Sequence, residues 1–223
     1  MEQHYQWEIV ILKPTSVFLS FLAAQAPDIE LPELNVLQMD TTAYIIQRQV
    51  SEEATLDEIG RHYPKMFKHE IARWLGEDAP IPNEGSFLDF LCCFKFELHS
   101  QIVLMEPSIS EGHQLLCIKP RSVLVKWMKS SIEDKDEVTS ILERVNMSYL
   151  TENATVVIKN FTEASQINPF IEDYYRPIYT AEMSRMCDKT DQWPLVDTLE
   201  SFNRYFSVEV HTQLIHLHDG VAS

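Results

Sequence analysis

Glycine is scarce in this chain, with five residues in 223 and none in a G-x-x-x-x-G-K-S/T or G-x-G-x-x-G spacing. Phosphate cradles rely on glycine for close backbone approach, so no nucleotide-binding loop is expected. Basic residues are also few: 18 Lys and Arg stand against 34 Asp and Glu, a formal net charge of −16 spread over the whole length. A field of that sign repels phosphate backbones and anionic membranes, so nucleic acid is not an expected partner. It suits a protein partner with a basic surface. The four cysteines (Cys92, Cys93, Cys117 and Cys187) include no C-x-x-C pair, which points to free thiols in a reducing compartment and to no structural zinc. No apolar run has the length of a membrane span, and the start MEQHYQWEIV lacks the basic and apolar regions of a signal peptide. A cytoplasmic location without direct membrane insertion is the expectation. Asn146, Asn153 and Asn160 begin Asn-x-Ser/Thr triplets, which carry meaning only in a secreted protein. Nucleophile signatures are missing as well: Gly85-Ser86 lies in no G-x-S-x-G, and His69-Glu70 lacks a zincin's second histidine.

What the chain does contain is a repeat. Residues 8–23, EIVILKPTSVFLSFLA, lie over 114–129, QLLCIKPRSVLVKWMK, so that Lys13, Pro14, Ser16 and Val17 recur as Lys119, Pro120, Ser122 and Val123. Residues 82–105 lie likewise over 194–217, where Phe90, Phe94, Glu97, His99 and Gln101 recur as Phe202, Phe206, Glu209, His211 and Gln213. Block order is the same in both halves. This predicts two tandem modules, roughly 4–106 and 110–218, with the domain boundary at 108/109 and the copies related by a pseudo-twofold.

Hydrophobic periodicity gives each module an α+β reading. Strands are expected over 6–12, 35–39, 43–49 and 94–105, with a helix after Pro14 on the stripe Val17, Phe18, Phe21, Leu22. A helical stretch from Thr55 should break at Pro64, resume as PKMFKHEIARWL and stop at Gly76, before a short helix at 86–92. The second half repeats this with strands at 114–119, near 145–149, at 155–159 and at 206–217. Its helices are expected over 121–130, 168–187 and 195–204, with an inserted charged segment at 132–144 also helical. The order is β-α-β-β-α-β, that of ferredoxin-like folds, with an expanded helical layer. Such an order normally gives an antiparallel sheet with helices on one face.

Three recurring motifs are candidate sites. Lys-Pro-x-Ser-Val, at Lys13 and Lys119, reads first as a strand end followed by a helix cap at Thr15 or Ser16, and second as an anion site. Glu97-x-His99-x-Gln101 and Glu209-x-His211-x-Gln213 place three polar side chains on one strand face, expected to be wet or at a seam between modules. Glutamate and imidazole there are also the groups an enzyme would use, so a seam site using Glu97/His99 and Glu209/His211 is the alternative to a binding protein. With glutamine as the only third ligand, no metal or cofactor is expected. Glu70–Arg73 and Glu182–Arg185 recur at i,i+3 and read as surface helix pairs.

The helices also carry more aromatics than one core-facing stripe needs. Tyr63, Phe67 and Trp74 in one, and Phe170, Tyr174, Tyr175 and Tyr179 in the other, are candidate partner contacts, with Glu172 and Asp173 steering the encounter. An acidic, glycine-poor chain with helices such as PKMFKHEIARWLG resembles the accessory subunits of the Dot/Icm type IVB secretion coupling complex. That resemblance implies a non-enzymatic adaptor, peripheral to the inner membrane through other protein subunits, that recruits effector proteins for export.

Overall fold

The computed structural model describes residues 6–79, 85–105, 112–131 and 147–217. Its α+β architecture holds two four-stranded mixed sheets and, among the described residues, eight α-helices. Contacts divide the chain into two units. The first contains residues 1–98 with 211–223, and the second contains 99–210. Relative to a cut at 108/109, each unit takes one edge strand from the other half of the sequence.

In the first unit, β1 (Trp7–Pro14) pairs antiparallel with β2 (Ala43–Gln47), with Ile9 opposite Ile45. β3 (Phe94–His99) flanks β1, and the other edge is β8 (Leu214–His216), which runs parallel to β2. Thr15 caps α1 (Ser16–Gln25) by accepting from the Val17 N–H, and its own hydroxyl donates to the Cys92 carbonyl at 2.8 Å. The cap reading of the Lys-Pro motif therefore holds in this half. The expected strand at 35–39 is instead a single helical turn, α2 (Leu34–Leu37). Its Leu37 is buried while Val36 and Met39 are exposed, an outcome that period-two reading of so short an apolar run cannot foresee.

The long helix α3 (Glu52–Leu75) does not break at Pro64. Proline removes one helical donor, but Ile59, Met66, Phe67 and Ile71 stay on one buried face, and that packing holds the helix through the gap. Ser51 caps its start, and Gly76, at φ 91°, ends it in a conformation that other residues adopt only with strain. α4 (Phe87–Cys93) begins with a Ser86–Asp89 capping box and leads directly into β3. Phe90 sits at the centre of the core, with the rings of Tyr63, Phe67, Phe87, Phe94 and Phe96 within 6.3 Å of it, centroid to centroid. Ile9, Ile11, Ala43 and Ile45, on the opposite sheet face from Val10 and Tyr44, are fully buried too. The continuous run EIVIL reflects a strand shielded on both faces.

In the second unit, β5 (Gln114–Pro120) pairs antiparallel with β6 (Val156–Lys159), and β7 (Phe206–His211) lies on its other side. β4 (Ile102–Leu104) runs parallel to β6. Each expected long strand, 94–105 and 206–217, is thus two strands serving two sheets, and the parallel pairs depart from the antiparallel expectation. The helices are α5 (Ser122–Ser131), α6 (Met147–Glu152), α7 (Ile167–Met186) and α8 (Leu199–Tyr205). Helix α6 replaces the strand expected near 145–149; the segment 132–144 lies outside the described residues. Met183, Phe202 and Phe206 are buried at the centre of this unit's core.

Candidate functional site

The recurring histidines and the glutamates of the Glu–Arg pairs are buried and hydrogen-bonded. His211 is fully buried, and its Nδ1 donates to the Thr41 carbonyl at 2.9 Å, with the Thr41 hydroxyl at 3.1 Å. His99, equally buried, donates from Nδ1 to the Ala154 carbonyl at 3.0 Å. Two residues on, the Gln213 carbonyl accepts from the Ala43 N–H and the Gln101 carbonyl from the Val156 N–H, which starts each parallel pairing. The motif Glu-x-His-x-Gln therefore marks where the chain enters the other sheet, and the wet-face expectation for its histidines is corrected. Glu209 pairs with Lys119 at 2.6 Å. Among the described residues, no group of three His, Cys, Asp or Glu side chains could hold a metal ion.

The Glu–Arg pairs are likewise not on the surface. Glu182 is fully buried, accepts from the Thr155 N–H and pairs with Arg185 at 2.9 Å; Arg185 also donates to the Leu150 carbonyl. Glu70, on the buried face of α3, accepts from the Tyr44 hydroxyl at 2.7 Å, and His69 Nδ1 lies 3.0 Å from that hydroxyl. Arg73 turns instead to Asp40 at 3.0 Å. A sequence cannot separate these pairs from solvated ones, because i,i+3 spacing is the same in both.

The aromatic candidates divide sharply. Phe67 belongs to the first unit's core, and Tyr63 and Trp74 pack half-buried against it. In the second unit Phe170 and Tyr179 are buried, Tyr175 is half-buried, and Tyr174 is 40% exposed, flanked by exposed Glu172 and Asp173. Tyr175 and Arg176 both donate to the Asp197 carbonyl, and Tyr179 donates to the Pro194 carbonyl. Tyr174 alone among the seven is exposed, and its ring stacks on Phe170 at 4.6 Å.

Beside Tyr174 the α7 face opens into a cleft of about 80 Å³. Its floor is Val157 of β6 and Thr155 just before that strand, with Val103 and Met105 at the β4 edge; its helical wall runs along Phe170, Tyr174, Pro177 and Ala181. Pro177 has no N–H, so the Asp173 carbonyl loses its helical donor on this side. The Thr155 hydroxyl is buried and has no hydrogen-bond partner among the described residues. The first unit differs at the matching place. Tyr44, second in β2 and opposite Ile215, stands where Val157, second in β6 and opposite Val103, stands in the second. Its side chain extends to Met66, His69 and Glu70 of α3 and occupies that space.

No protein-family model, no curated protein and no solved structure matches this chain. Among the described residues, no helix is long and apolar enough to cross a membrane.

Burial pushes the Tyr179 phenol up to about 12, with Tyr205 adding to it, and raises the Tyr44 phenol well above its usual value, with Glu70 adding. The folded chain therefore keeps protons that the unfolded chain gives up near pH 10. Stability should be intact below pH 10 and should decline as the pH rises toward 12. Urea midpoints at pH 9 and pH 11 measure the decline, and Tyr179→Phe should flatten part of it; an unchanged slope would remove Tyr179 as a cause.

Proposed function

We propose that this chain is a non-enzymatic protein-binding adaptor that docks its partner on the α7 face of the second unit. The observation that carries this reading is the cleft beside exposed Tyr174, next in sequence to exposed Asp173 on α7, in a chain of net charge −16. An apolar recess gives a partner's anchor residue a place to be desolvated, while surrounding acids speed the approach of a basic surface. Burial of His99 and His211, each with Nδ1 held by a backbone carbonyl, favours this reading over a catalytic use of the Glu–His pairs.

The scaffold beneath the site is, on the same reading, an internal duplication. The sheet orders β3-β1-β2-β8 and β7-β5-β6-β4 support it, as do Lys13 and Lys119 at matching ends of β1 and β5. The ferredoxin-like β-α-β-β-α-β order would then survive in altered form, its adjacent strand pair moved to the end of each copy. On this reading the chain acts in the cytoplasm, and its resemblance to the accessory subunits of the Dot/Icm type IVB coupling complex implies delivery of effectors.

Affinity capture from the native host tests the docking reading. Wild-type protein should retain one partner at fixed stoichiometry, and Tyr174→Ala combined with Asp173→Lys should weaken retention about tenfold with unchanged circular dichroism. Retention that ignores both changes would place the contact elsewhere.

A further inference from the structure

We propose that His69, on the long helix α3 of the first unit, is a phosphoryl acceptor that takes the group onto Nε2 from a phosphoramidate donor. Its ring is fixed by a relay from the core. Tyr44 is fully buried, and its phenol donates its one proton to Glu70 Oε1 at 2.7 Å. Burial, with Glu70 adding, holds that phenol well above its usual value, so the proton stays on it. His69 Nδ1 lies 3.0 Å from the same oxygen and therefore donates to it. The neutral ring then carries its proton on Nδ1 and its lone pair on Nε2. Nε2 makes no hydrogen bond among the described residues, is not among their buried polar atoms, and belongs to a side chain that is 34% exposed.

An imidazole held in this way can bind a metal, take a proton or accept a covalent group. The surroundings choose among the three. Lys65 and Arg73 stand one turn to either side of His69 on the same helix face, which disfavours a metal cation and attracts an anionic group. Lys65 is exposed, and Arg73 is engaged by Asp40 and Thr42. A general base needs a substrate held within hydrogen-bond reach. His69 lines neither the α7 cleft nor the shallow one at Gln47, Arg48 and Gln49. A covalent acceptor needs no pocket of its own, because the donor brings the group to it.

The donor class follows from what the chain lacks. A nucleotide donor needs a metal ion and a phosphate cradle to neutralise its leaving group, and no glycine-rich loop of that kind is in the sequence. A phosphoramidate releases a neutral amine and needs neither. In the step, the Nε2 lone pair forms the new N–P bond while the donor's P–N bond breaks. Ammonia leaves with the bonding pair and its own hydrogens, and the ring keeps its Nδ1 proton. The ring gains positive charge as the bond forms. The Tyr44 oxygen and Glu70 Oε1, at 3.0 and 3.9 Å from Nδ1, are placed to stabilise that charge. Tyr44 and Glu70 are thus positioning residues, and His69 is the nucleophile.

The test is labelling of the full chain with potassium phosphoramidate at neutral pH, followed by intact mass, phosphorus NMR and peptide mapping. His69 should be phosphorylated first, about tenfold faster than the other histidines of the same chain. That preference should vanish in urea, where the relay is lost. Tyr44→Phe removes only the hydroxyl and should slow His69 about tenfold relative to those internal references. Glu70→Gln keeps an acceptor without the charge and should slow it as well; if Tyr44→Phe does not fold by circular dichroism, the Glu70→Gln rate decides. Lys65→Gln should slow the reaction and weaken its salt dependence. Labelling spread evenly over the histidines of the folded chain, or no phosphoryl on His69, would overturn the assignment. So would a His69 rate that Tyr44→Phe and Glu70→Gln leave unchanged.

Discussion

Deleting residues 211–223 should unfold the first unit, which is built mainly from residues 1–98, and leave the second near its native stability. The deletion removes β8 from the edge of β2, the His211 tether to Thr41, and Leu217 from the first unit's core. Burial of Ile215 and Leu217 contributes about 1.5–3 kcal/mol each, and each lost hydrogen bond about 1 kcal/mol. The total, roughly 5 kcal/mol or more, approaches the whole stability of a unit this size. Hydrogen exchange resolved by segment is the measurement: protection should vanish over β1, β2 and α3 and persist over β5, β6 and α7. Uniform loss, or loss confined to the second unit, would contradict the assignment of β8.

Arg185→Met is expected to cost about 3–5 kcal/mol, the range for stripping one partner from a buried ion pair. Glu182 has no exposed surface, and its carboxylate bridges the Thr155 N–H and the Arg185 guanidinium. Without the cation a buried charge is left uncompensated. Glu182→Gln in the Arg185→Met background should recover much of the loss, because the charge is then gone as well. Urea midpoints for the two single variants and the double supply the comparison. A cost below about 1 kcal/mol for Arg185→Met would return the pair to the class of solvated helix pairs.

Much of the secondary structure was legible in the sequence, because its signals are local. The apolar run before Lys13-Pro14 and Gly76 after Leu75 each act within a few residues, and β1 and the end of α3 lie where those signals put them. Short apolar runs misled: LNVL at 34–37 is a helical turn, since four residues fit either period. Strand partners were not legible at all. Ile102–Leu104 and Leu214–His216 carry an ordinary strand pattern, and nothing in it tells which sheet they join. Of the site, the acids Glu172 and Asp173 and the aromatic Tyr174 were visible as an excess of large and charged side chains on α7. The cleft was not, because it arises from what Val157 fails to fill where Tyr44 fills the other unit.

The reciprocal edge strands also set an order for synthesis. The first unit lacks its edge strand until Leu214 to His216 have been made, more than a hundred residues after β3 is complete. At about 5–20 residues per second the delay is on the order of ten seconds. Through that interval β2 presents an unpaired edge that invites strands from other chains. Slow translation between residues 99 and 210 should therefore lower the soluble yield of this protein, because it lengthens the time that edge stays open.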